Sequence, residues 1–147
     1  MTRDNSYIVA IISEETMLEP RRWYASPWIG GLIGVFAGGL AIMLIEMGGH
    51  LLFGSADPSN PSTITVPMFL SVLVAWIAGC WIAATVATVW SGARSIVPGV
   101  VCGVVLLAGA VMNFVTIPHP AWLMIAAFVL MPGTALLAAK GRLAPRS

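Results

Sequence analysis

Four residues in this sequence are of types that could carry chemistry together: Glu46, His50, Asn113 and His119. Glu46 and His50 stand at i and i+4, so on a helix they share a face. His119 sits between Pro118 and Pro120. One carboxyl, two imidazoles and a carboxamide allow several uses. They could form a satisfied polar knot, with Glu46 pairing to His119 or His50 and Asn113 bonding to backbone, which would fix how the chain packs. They could bind a small ligand or a lipid headgroup, or handle a proton, with Glu46 and the histidines exchanging it. Glu46, His50 and His119 could supply three ligands to a metal, with water as the fourth, a set that suits zinc. Haem between His50 and His119 is disfavoured by geometry, because a histidine in a turn is badly placed to bury a macrocycle.

Other chemistries find no support. No Gly-rich phosphate loop follows a strand. No Ser-His-Asp set is readable, since Asp57 lies in a turn-rich loop and Ser71 has no evident base. Cys80 and Cys102 fit no zinc or redox spacing and fall inside apolar runs, so they read as buried free thiols. No resident cofactor is expected.

The elements that must position the four residues follow from composition. Of 147 residues, 59% are hydrophobic and 9% charged. A soluble domain averages about 25% charged residues, so this chain cannot cover a water-facing surface and is expected in a lipid bilayer. Its net charge of +1 offers no case for nucleic acid. Four apolar runs, about 28–49, 67–89, 96–117 and 120–139, each approach the ~20 residues that a helix needs to cross about 30 Å of hydrocarbon. Lipid offers no partner for open backbone, so each run is expected to be helical. Residues 1–27 form a polar arm that lacks the pattern of a cleavable signal peptide. Residues 28–139 form the membrane domain, and 140–147 a basic tail.

Every Lys and Arg falls on one side of such a bundle: Arg3, Arg21 and Arg22 before the first span, Arg94 between the second and third, and Lys140, Arg142 and Arg146 after the fourth. The two opposite connections carry none. The positive-inside rule puts the basic side, and both termini, in the cytoplasm. The expected fold is all-α, an antiparallel four-helix transmembrane bundle. That topology brings Glu46, His50, Asn113 and His119 to one depth near the outer face. Glu46 is the one charge expected within a span, and an intramembrane acid is costly enough to need a partner or a job.

Small residues recur at every fourth position: Gly30, Gly34 and Gly38 in the first span, Ala75, Gly79, Ala83 and Ala87 in the second, Gly99 and Gly103 in the third. They let helices approach closely in lipid, within the bundle or against another subunit. Trp23, Trp28, Trp90 and Trp122 flank the spans as interfacial anchors do. Trp76 and Trp81 lie deeper and are expected to pack. Pro132 should free a carbonyl in the last span and kink it.

The acid and Gly49-His50 at the end of the first span, Asp57-Pro58 in the outer loop, and Asn113 ahead of Ile117-Pro118-His119-Pro120 and Trp122 form a pattern. By it the chain resembles a loose set of short bacterial four-span membrane proteins of unassigned function. The resemblance covers about 28–139. It implies the fold, the topology, a bacterial inner membrane and a shared role for the four polar residues, but no reaction. Small multidrug exporters also have four spans and an acid in the first. Their acid lies near mid-membrane, whereas Glu46 lies near the outer end, so their function is not transferred. The expected role is a non-catalytic accessory or scaffold subunit packed against a membrane partner or itself. Binding of a ligand, headgroup or proton at the polar cluster is the alternative, and metal binding a third.

Overall fold

A computed structural model describes residues 26–54, 57 and 60–144. The described residues form four α-helices: α1 Pro27–Phe53, α2 Val66–Trp90, α3 Val97–Thr116 and α4 Ala121–Lys140, with a short 3-10 turn at Pro61–Thr63. No strand occurs among them. All four helices are long and apolar enough to cross a membrane, and their apolar surfaces imply contact with lipid. The expectations for the N-terminal arm and the last three residues lie outside the described residues.

Proline starts these helices. Pro27, Pro67 and Pro98 occupy the first turns of α1, α2 and α3, where a missing N–H costs nothing and the fixed φ favours helix. Pro120 stands directly before α4. α1 runs a turn beyond the expected end, to Phe53, and stops at Gly54 with φ 86°. Its 27 residues span about 40 Å at the helical rise, more than the ~30 Å of hydrocarbon.

α2 ends in a Schellman turn. Gly92 N–H donates to Val89 O at 3.0 Å and Ala93 N–H to Thr88 O at 2.9 Å. Gly92 takes φ 82° to make this possible, a conformation glycine adopts freely. α3 ends where Pro118 forbids continuation, and Ile117 N–H closes back on Asn113 O. α4 continues as helix through Pro132.

α2 is the central helix. Both α2 and α3 touch every other helix, while α1 and α4 stand at opposite corners. The α1–α2 contact is the most extensive, because both sides offer small residues. A Cβ added at Gly34 would lie 2.6 Å from Ala83 O, and one at Gly38 2.6 Å from Gly79 O. Gly30 meets Ala87 and Ser91, and Gly79 meets Ile42. On the other side of the bundle, Gly99 fits against Thr88, Ala139 and Ala84, and Gly103 against Ala135. Ala75, Ala83 and Ala87 are fully buried. These ridges are thus used within the chain.

Cys80 and Cys102 are free and buried. Cys102 Sγ–H donates to Gly31 O at 3.3 Å, joining α3 to α1. Trp28, Trp90 and Trp122 are exposed near helix ends. Trp81, expected to pack, instead stands 45% exposed on the outward side of α2. It lies five positions after Trp76, which turns it away from the core that Trp76 enters.

Candidate functional site

Glu46 lies on α1 two turns before its C-terminal end and is half-buried. The partner it finds is Trp76. The indole Nε1–H donates to Glu46 Oε1 at 3.0 Å. Trp76 itself is only 3% exposed, so its N–H needs an acceptor that water cannot supply. Each group answers the other's requirement. The register is set further down the same helix pair, where the close packing of Gly34 and Gly38 on Ala83 and Gly79 fixes α1 against α2. About three turns beyond Gly38, Gly49 packs against Ser71, so Glu46 and Trp76 lie between two tight contacts.

His119 also lies against Trp76. Its ring centroid is 6.2 Å from Trp76, 5.2 Å from Phe114 and 5.7 Å from Phe69. Trp76 and Phe114 meet edge to face at 5.4 Å, and Phe69 meets Trp122 edge to face at 6.5 Å. Aromatic pairs prefer such tilted geometries. A hydrogen bond of 2.6 Å joins His119 Nδ1 to Ile117 O. A carbonyl only accepts, so Nδ1 carries the hydrogen, and in the neutral ring Nε2 is the acceptor. The two prolines around His119 hold the connection extended, which aims the ring back into the bundle instead of along a helix.

The cluster is therefore a chain of contacts, Glu46 to Trp76 to His119, drawn from α1, α2 and the α3–α4 connection. Two of the four sequence candidates lie on it. The other two make none of these bonds or ring contacts, although His50 is near enough to Glu46 to interact with it electrostatically. His50 is exposed one turn beyond Glu46, and Asn113 is half-buried on α3. Among the described residues, neither bonds through its side chain to Glu46, Trp76 or His119. No group of three His, Cys, Asp or Glu side chains among the described residues is placed to hold a metal ion, so Glu46, His50 and His119 do not form one.

The residue that sequence reasoning missed is Trp76. Counting up α1 from Gly38 and down α2 from Ala83 by two turns reaches Glu46 and residue 75 or 76, but the register that sets Gly38 against Ala83 comes from the fold and not from the ridges' spacing. Phe69 and Phe114 carried no signal either, since apolar rings in apolar helices look like lipid-facing residues. Compared with protein-family models, with curated proteins and with solved structures, the chain matches none.

Proposed function

We propose that this chain is a small multi-pass protein of a bacterial inner membrane, antiparallel in its packing, with both termini in the cytoplasm, acting without chemistry of its own as an accessory or scaffold subunit. Antiparallel packing is supported by the order of contacts. From Gly30 to Gly49 along α1, the partner on α2 falls from Ser91 to Ser71, and from Gly99 to Gly103 along α3 the partner on α4 falls from Ala139 to Ala135. Orientation is supported by Arg94, Lys140 and Arg142 at one end and the absence of Lys and Arg from both opposite connections.

The observation that carries the non-catalytic reading is the Trp76–Glu46 bond. An acid that works by proton transfer needs a partner that can take or give a proton. An indole N–H is a donor only and does not titrate in this range. The bond therefore supports a role in holding α1 to α2. The small-residue ridges are occupied inside the chain, so recognition of a partner falls to larger side chains. Leu32, Phe36, Leu40, Met43 and Met47 form one exposed strip along α1, at the corner opposite α4. A photo-cross-linking residue at Phe36 should give a protein adduct in native membranes, whereas one at the exposed Val129 of α4 should label lipid. Absence of any protein adduct from the α1 strip would contradict the proposal.

One observation favours the binding alternative. Trp76 engages Glu46 Oε1 alone, and His119 Nε2 takes no part in the Ile117 bond, so both groups keep acceptor capacity. If a headgroup, small ligand or proton uses it, Glu46→Gln will remove that effect and leave the bundle folded. A loss of thermal stability alone would support the structural reading.

A further inference from the structure

At the basic end of the bundle, α1 and α3 do not close. A cavity of about 510 Å³ opens between them, lined by Trp28, Leu32 and Val35 on one side and Val97, Val101 and Val105 on the other. Its surface is apolar, and Gly31 and Cys102 form part of the lining, tied by the Cys102–Gly31 hydrogen bond. The cavity runs from Pro27 to Val35 on α1 and from Val97 to Val105 on α3. That is about 12 Å at the helical rise, close to half of the ~30 Å hydrocarbon thickness. It ends blind. Beyond Val35, Leu106 of α3 closes on α1, and a Cβ at Gly38 would stand 3.1 Å from Leu106 Cδ1.

We infer that this slot holds one acyl chain of an anionic glycerophospholipid of the cytoplasmic leaflet, with its phosphate beside Arg94. Three features select that occupant. The slot is one leaflet deep and closed at mid-membrane, which fits a chain end and not a helix, whose body is about 10 Å across and would need the seam open along its length. It opens where α1 and α3 both begin, at the headgroup level. Arg94 is exposed in the short link before α3, and Ala144 N–H donates to Ala93 O at 3.0 Å, bringing the tail that follows Lys140 and Arg142 to the same link. Basic side chains at this level attract anionic headgroups. The inference rests on the proposed orientation for its choice of leaflet.

Gly31 provides the test, because a Cβ added there meets nothing within 4 Å. A larger side chain at Gly31 therefore starts into open space on the slot's lining. The full chain, purified in mild detergent, is equilibrated in mixed micelles with phosphatidylglycerol or phosphatidylcholine, and retained lipid is measured by mass spectrometry. One phosphatidylglycerol per chain should be retained in preference to phosphatidylcholine. Gly31→Leu and Val101→Phe should each lower retention about tenfold, as loss of roughly two buried methylene groups would. Arg94→Gln should reduce the anionic preference about fivefold, the effect of one basic side chain at a charged surface. Gly39→Leu, equally open but beyond the blind end, should retain lipid as the parent does, and helical circular dichroism checks that every variant folds. Unchanged retention in both slot-filling variants would overturn the inference. So would equal retention of the two lipids, or a dimer that the slot-filling variants dissociate, which would make a second copy the occupant. A C-terminal reporter read outside the cytoplasm would overturn the orientation, while slot-dependent retention would still stand.

Discussion

Trp76 donates its only polar hydrogen to Glu46 and lays its ring beside Phe114 and His119. Trp76→Phe keeps an aromatic ring in that place and removes the donor. It should destabilise the protein by about 1–3 kcal/mol, the cost of leaving a buried polar group without its partner, measured by unfolding in mild detergent. Glu46→Gln retains a carbonyl oxygen that can accept from the indole, so it should cost less than Glu46→Ala. In a double-mutant cycle, Trp76→Phe and Glu46→Ala should be strongly non-additive, because each removes the same bond. Additive losses would mean that the bond does not tie the helices. Glu46 and His119 were legible in the sequence because a charge in an apolar run and a histidine between prolines are both conspicuous. Trp76 was not, since an indole in an apolar helix looks like packing until its neighbour across the seam is known. Asn113 was grouped with them by depth alone, and depth does not fix which way a side chain turns around its helix; His50 was grouped by its i+4 spacing from Glu46, but it stands a turn nearer the helix end, where it is exposed.

Helices in lipid gain little from the hydrophobic effect against one another, so the elements depend on close approach. That makes the glycines at the α1–α2 seam unequal to those elsewhere on α1. Gly34→Ala puts a methyl group 2.6 Å from Ala83 O, whereas Gly39→Ala meets nothing within 4 Å. The first should cost about 1–3 kcal/mol by overpacking, and the second should leave the unfolding midpoint near the parent's. Gly92→Ala tests the turn instead of the seam. Gly92 has open space around it but a φ of 82°, so the substitution should cost about 1–2 kcal/mol in backbone strain. Helix number and helix starts were readable from hydropathy and proline. The extra turn of α1 to Phe53 was not, because Leu51, Leu52 and Phe53 follow a glycine pair and a histidine that look like an ending. Whether the small-residue ridges served the bundle or a partner also lay beyond the sequence, since spacing is the same in both cases.

For the whole molecule, the close-packing ridges lie inward, while α1 keeps a continuous strip of large apolar residues facing out at the corner opposite α4. In this chain of 15.5 kDa the acid within the described spans, Glu46, is held by an indole, which supports the proposed place in an assembly. The most direct measurement is the mass of the particle released from native membranes into lipid discs, with the full-length chain at its natural abundance. The expected particle is a complex well above the mass of one chain and its lipids, containing a partner protein or further copies, and dissociated by substitution of Phe36 and Met43 with smaller polar residues. A stable particle holding a single copy of the chain and lipid alone would contradict the proposal.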